Sequence, residues 1–153
     1  MSLKRLFFCA LFISIPFLME SAKLHVTRAD DIANSDNLDY AQVVFVKVAQ
    51  QEKNLWRFEV TVRHNDDGWD HYADAWQVVD PKNGSVIVER VLAHPHVEEQ
   101  PFTRSLANVH IPKKLTHLLV RAKCNVHGFG GREVLVDLSA GKGERFAVIH
   151  LHR

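Results

Sequence analysis

Apolar and polar residues alternate most cleanly between Trp56 and Arg63, where Trp56, Phe58, Val60 and Val62 interleave with Arg57, Glu59, Thr61 and Arg63. Residues two apart share a face of an extended chain, so this spacing predicts a strand with one side in a core and the other in water. Upstream, Val43-Val44-Phe45-Val46-Lys47-Val48 is a β-branched run of strand length, and Gln50 to Asn54 turns the chain between the two. Tyr72, Trp76 and Val78 fall on one face of a third strand, with Asp74 among them. Asp80-Pro81-Lys82-Asn83-Gly84 has turn chemistry, and Val86 to Leu92 returns as a fourth strand. A fifth runs from Phe102 to Ile111 and stops at Pro112, which lacks an amide donor. Leu118, Val120, Ala122 and Cys124 alternate with Leu119, Arg121 and Lys123 as a sixth, and Val134, Val136 and Leu138 mark the inner face of a seventh. Phe146 to Leu151 forms a short eighth strand or a C-terminal extension. No helical period of adequate length follows residue 22.

Short alternating strands at this spacing imply an all-β fold, a Greek-key β-sandwich of about seven strands over residues 40–138. Trp76 occupies the third strand, where immunoglobulin-like domains carry a core tryptophan, but no cysteine pair joins the second and sixth strands. The layout is therefore similar to the disulfide-free fibronectin type III arrangement. A shared layout carries no function.

Composition adds a compartment. The chain has 153 residues, 46% hydrophobic and 24% charged, which suits one soluble domain of ordinary size. Lys4-Arg5 precedes an apolar run from Leu6 to Met19, the grammar of a secretory leader. That run is shorter than the roughly 20 residues a membrane-spanning helix needs. A leader over residues 1–22 with cleavage after Ala22 is expected, although Glu20 departs from the small-residue preference near the cut. Removing Lys4, Arg5 and Glu20 from the 19 basic and 18 acidic residues leaves 17 of each, a balance that recruits neither nucleic acid nor acidic lipid. Cys9 leaves with the leader and Cys124 stays, so no internal disulfide is expected. No Leu-x-x-Cys lipobox closes the apolar run, so neither a lipid anchor nor a stable membrane span is expected once the leader is gone. Residues 23–39 read as a flexible tail and 139–153 as a C-terminal extension. The mature protein is expected to be periplasmic or secreted.

The unusual residues gather between His64 and Trp76, a connection holding two histidines, four aspartates, two tryptophans and a tyrosine. If consecutive strands run antiparallel, this stretch shares one end of the sandwich with His94-Pro95-His96 and with His127 and its glycine-rich loop. Five of the ten histidines then meet on one rim. Pro95 holds His94 extended, so His94 and His96 point the same way. Neutral imidazole binds copper and zinc, which makes His64, His71, His94, His96, His127 and Asp70 the candidate ligands of a transition-metal ion. Asp66, Asp67, Glu98 and Glu99 are further oxygen donors nearby.

Each feature has a plainer reading beside it. The histidines can cap the fold by hydrogen-bonding loop backbones. Cys124, in phase with Leu118 and Val120, is first a core thiol and second a soft ligand. Asp74 calls for a structural ion pair with Arg104 or Arg121, because an unpaired buried carboxylate is costly. Gly128, Gly130 and Gly131 are turn glycines, since no helix follows to complete a phosphate cradle.

Gly68-Trp69-Asp70-His71-Tyr72-Ala73-Asp74, His94-Pro95-His96-Val97, Glu99-Gln100-Pro101-Phe102-Thr103-Arg104-Ser105-Leu106 and His127-Gly128-Phe129-Gly130-Gly131 together resemble a group of small exported bacterial proteins of uncharacterised function. The resemblance covers about residues 40–138 and implies an extracytoplasmic protein. It supplies no substrate and no catalytic residue.

The function expected from these residues is a non-enzymatic extracytoplasmic binding domain, with a His/Asp/aromatic site on one end and copper or zinc as its small partner. The alternative is a metal-free module in which Trp69, Tyr72, Phe102 and Phe129 form an aromatic patch for another envelope protein or a glycan. A hydrolase ranks third: His, Asp and Ser105 are present, but no nucleophile elbow or ordered triad pattern is.

Overall fold

The alternation from Trp56 to Val62 becomes a strand whose four apolar side chains are all buried while Arg57, Glu59 and Thr61 stay half-exposed. In a computed structural model that describes residues 37–151, the chain forms nine strands in two sheets, with no helix among the described residues. The strands are β1 (Gln42–Glu52), β2 (Leu55–Arg63), β3 (Ala73–Val79), β4 (Val86–Val91), β5 (Phe102–His110), β6 (His117–Cys124), β7 (Gly128–Phe129), β8 (Val134–Asp137) and β9 (Phe146–Ile149). The expected leader and most of the expected tail lie outside the described residues.

One sheet has the order β5-β2-β1-β9, and the other β4-β3-β6-β7 with β8 also paired to β6. All pairs are antiparallel except β9, which lies parallel to β1 with Val148 opposite Val48. The C-terminal segment is thus part of the first sheet.

Between the sheets Val46, Val48, Phe58, Val60, Trp76, Val78, Leu118, Val120 and Val136 are fully shielded from solvent. Each such side chain contributes roughly 1.5–3 kcal/mol of transfer free energy. This continuous core carries the stability of a domain whose only described cysteine is free.

Two irregularities decide which side chains point where. In β1 the pairing steps from Val43↔Val62 to Phe45↔Thr61, so the extra residue lets both Val43 and Val46 face the core. In β3 it steps from Ala73↔Cys124 to Ala75↔Lys123, which leaves Asp74 in a bulge. The bulge breaks the expected phase of Asp74 with Trp76. Ala73 and Trp76 turn inward, while Asp74 turns out to meet Lys123 Nζ at 2.6 Å. The pairing expected of Asp74 with Arg104 or Arg121 is corrected accordingly. Arg104 instead holds Glu99 at 2.7 Å, and Arg121 donates to Gln77 while lying 4.2 Å over the Phe129 ring.

Candidate functional site

The inward phase of β2 runs one step past its last residue and places His64 under the end of the sandwich, 1% exposed. Its backbone amide donates to Gln100 Oε1 at 3.0 Å, and its Nδ1 lies 2.6 Å from Asp66 Oδ1. Asp66 is buried as well. Its Oδ1 also accepts the Ala73 amide at 3.0 Å, and its Oδ2 accepts the His96 amide at 2.7 Å. One carboxylate therefore joins the β2–β3 connection, the start of β3 and the β4–β5 connection. Burial pushes its pKa up, but hydrogen bonds from His64 and from the two amides outweigh burial and hold the carboxyl below the ordinary range. Asp66 is an anion that orients His64, with Nδ1–H donating and Nε2 facing away from it.

On that far side Cys124 ends the inward row of β6, 1% exposed. The chain turns at once, so the His127 amide donates back to Cys124 Sγ at 3.1 Å. Gly128, at φ +67°, supplies the left-handed backbone that lets the turn run into β7. His71, held where the β2–β3 connection returns, packs edge-on against His64 with ring centroids 4.6 Å apart and against His127 at 5.0 Å. Its Nε2 is buried and has no hydrogen-bond partner among the described residues. Donor atoms of His64, His71 and Cys124 all lie within 4.8 Å of one another. His127 covers this trio from the solvent side, its Nδ1 3.6 Å from Cys124 Sγ.

A fifth group enters from the residues assigned to the tail. The backbone carbonyl oxygen of Asp39 lies 3.2 Å from His64 Nε2, 3.4 Å from Cys124 Sγ and 3.0 Å from His127 Nδ1. Asn37 and Leu38 fix this turn: the Asn37 carbonyl accepts from the Gln42 side chain, and the Leu38 carbonyl accepts the Asn65 amide. Two imidazoles and a thiol thus converge on one oxygen.

The remaining candidates lie around this cluster. His96 is buried and stacked on Phe102, with ring centroids 3.8 Å apart and an interplanar angle of 10°. Neither of its ring nitrogens has a hydrogen-bond partner among the described residues. Burial, then the Arg104 guanidinium and the neighbouring His94 ring, hold its pKa below the ordinary value and favour the neutral ring. His94 is exposed, its ring 4.6 Å from that of His96. These two imidazoles form their own pair, and Asp66 links that pair to the cluster. Asp70 is exposed and offers its backbone carbonyl to Asn125 Nδ2 at 3.1 Å. Trp69 is 67% exposed and packs edge-to-face on Tyr72 at 5.7 Å. Phe129 is partly exposed beneath Arg121, whereas Phe102 is only 1% exposed. Phe102 is therefore removed from the expected aromatic patch: opposite Val62 in the β2–β5 pairing, it is turned into the core.

Asp39 and Asp66 are the site residues that the sequence reading passed over, one as tail and the other as a generic oxygen donor. A signal existed for the second, because a carboxylate two residues after an inward histidine can reach its ring. The Cys124-x-x-His127 spacing at a strand end was a further pointer. Nothing local marks Asp39, whose contribution is a peptide carbonyl.

The described residues define an all-β, two-sheet domain with a buried cluster of histidine and cysteine donors at one end. No helix among them is long and apolar enough to cross a membrane. Over 116 residues, 75% of its length, the chain is 39% identical to a protein of Halomicrobium mukohataei that bears the name "Putative lipoprotein". The match takes in 56% of that protein, so the chain spans little more than half the length of this relative. No family model matches the chain, and no solved structure does.

Proposed function

We propose that this chain is a non-enzymatic, extracytoplasmic binding domain of the cell envelope that holds one transition-metal ion, copper or zinc. The ligands are His64, His71 and Cys124, with His127 closing the site from the solvent side. The observation that carries this reading is the convergence of donor atoms of His64, His71 and Cys124 within 4.8 Å of one another, beside a His71 whose Nε2 is buried without a hydrogen-bond partner among the described residues. Asp66 gives the buried ligand His64 the carboxylate support that metal-bound histidines usually have. His94, His96 and Asp70 are not ligands in this arrangement. The name of the relative and the apolar run after Lys4-Arg5 support an envelope location. The strand orders β5-β2-β1 and β4-β3-β6-β8 support a fibronectin type III-like Greek key.

Metal titration of the purified, untagged protein tests the assignment. One ion per chain should bind, and His64→Ala or Cys124→Ser should weaken binding at least tenfold. A His94→Ala/His96→Ala double variant should keep most of the affinity. Strong binding retained in Cys124→Ser and lost in the double variant would place the ion at the other histidine pair.

A second reading, an interaction module for an envelope protein, draws support from the exposed Trp69 and from the exposed Val126, next to His127 in the chain. The two readings are compatible, because Val126 adjoins His127, the residue that closes the metal site.

A further inference from the structure

We infer that the ion is copper and that the site carries single electrons, an inference that rests on the metal-binding reading above. The donor set points there first. A thiolate suits Cu(I), imidazole suits Cu(II), and in the divalent series copper outcompetes zinc at a site of nitrogen and sulfur donors. Two histidines and one cysteine with a weak oxygen off to one side is an electron-transfer arrangement. Here the oxygen is the Asp39 carbonyl, 3.0 to 3.4 Å from His127 Nδ1, His64 Nε2 and Cys124 Sγ. The His127 amide, 3.1 Å from Cys124 Sγ, places a fixed hydrogen-bond donor on the sulfur, a contact that tunes the potential of a copper thiolate.

The scaffold supports the same conclusion. Zinc staples are most useful to small domains that cannot build a core, and this one has a continuous core between two sheets. His64 is clamped by Asp66, and Cys124 is anchored at the end of a central strand, so both ligands keep their places when the charge on the ion changes. His64 and Cys124 are buried and His71 is partly buried, while His127, packed against His71, is exposed and gives the cluster its solvent side. Val126, the chain neighbour of His127, is 57% exposed, and Trp69, whose backbone carbonyl accepts from Asn125 Nδ2, is 67% exposed, an apolar surface on which a one-electron carrier protein can dock.

The step balances simply. Ion binding releases the Cys124 thiol proton to solvent. Cu(II) then takes one electron from a reduced carrier protein at the His127 face and becomes Cu(I), and it later returns that electron to an oxidised carrier. No covalent bond of the chain forms or breaks during the transfer.

The full chain, exported, purified and stripped of metal, is loaded with one equivalent of Cu(II) and followed by elemental analysis, visible absorption and electron paramagnetic resonance. The expected result is one copper per chain with an intense thiolate-to-copper absorption. Ascorbate should bleach that band and ferricyanide restore it, and it should vanish in Cys124→Ser. Copper should also displace zinc when both are supplied in equal amounts. Copper bound without that band, irreversible reduction with loss of the thiol, or zinc retained in the competition would overturn the electron-transfer inference and leave the metal site standing. Absence of any stoichiometric metal would overturn both.

Discussion

Nδ1 of His64 and Oδ1 of Asp66 lie 2.6 Å apart, both side chains fully sealed from solvent, and the same carboxylate accepts the amides of Ala73 and His96. Asp66→Ala strands three buried donors at once. Removing one partner of a buried charged network typically costs about 3 to 5 kcal/mol, so denaturant unfolding of the variant should show a loss of that order. Asp66→Asn retains an acceptor oxygen and should lose less. Because a histidine without its carboxylate partner is a poorer ligand, metal affinity should fall about 10- to 100-fold in the asparagine variant, as measured by competition with a chelator.

His96 and Asp66 set two different pH windows. His96 is held below its ordinary value of 6.5 by burial, then by Arg104 and His94, against the opposing pull of Asp66 and Glu99. The unfolded chain therefore binds the proton first. The contribution of neutral His96 is complete above pH 6.5 and is lost as pH falls through the lower folded value. Asp66, lowered from 3.8, keeps its contribution above pH 3.8 and loses it only as pH falls further, through its own folded value. Chemical denaturation across pH 5 to 7, compared with His96→Leu, checks the first window: the leucine variant should lose less stability on acidification than the parent. Equal slopes would show that His96 does not titrate there.

Gly131 packs against the chain that delivers Asp39. A Cβ built on it would sit 2.1 Å from the carbonyl oxygen of Ala41 and 2.8 Å from its carbon, both backbone atoms. Gly131→Ala must push this strand entry aside, at a cost of about 1 to 3 kcal/mol. Asp39 lies two residues upstream, so the variant should also weaken metal binding while leaving the three proposed ligand side chains and His127 intact. A thermal melt and a metal titration on the same sample separate the two effects.

Trp69 stands outside the core, 67% exposed. Trp69→Ala should leave stability within about 0.5 kcal/mol of the parent. Under the carrier-docking inference the variant should slow electron exchange with a partner protein and leave the copper absorption unchanged. Stopped-flow reduction by a carrier protein, set beside reduction by ascorbate, distinguishes a docking role from a structural one.

Much of the fold was legible in the chain because strand formation is governed by a short-range rule. Trp56-x-Phe58-x-Val60-x-Val62 and Leu118-x-Val120-x-Ala122-x-Cys124 place alternate side chains on one face in any extended chain with one wet side, and both rows are buried in the structure. The same rule carried His64 and Cys124 to the inner side of one end. Single-residue bulges break it: the one at Asp74 reversed an expected face and exchanged an expected arginine partner for Lys123.

Residue types and alternation therefore established an all-β domain with a histidine-rich end, since both follow from the order of side chains alone. Which histidines share a site was settled by folding. His64, His71 and His127 meet Cys124, while His96 turns onto Phe102 and draws His94 with it. That division depends on loop paths, on a buried carboxylate that ties three segments together, and on a peptide carbonyl from before the first strand. Distances between residues 25 and 88 positions apart obey no local period, so only packing of the whole chain could set them.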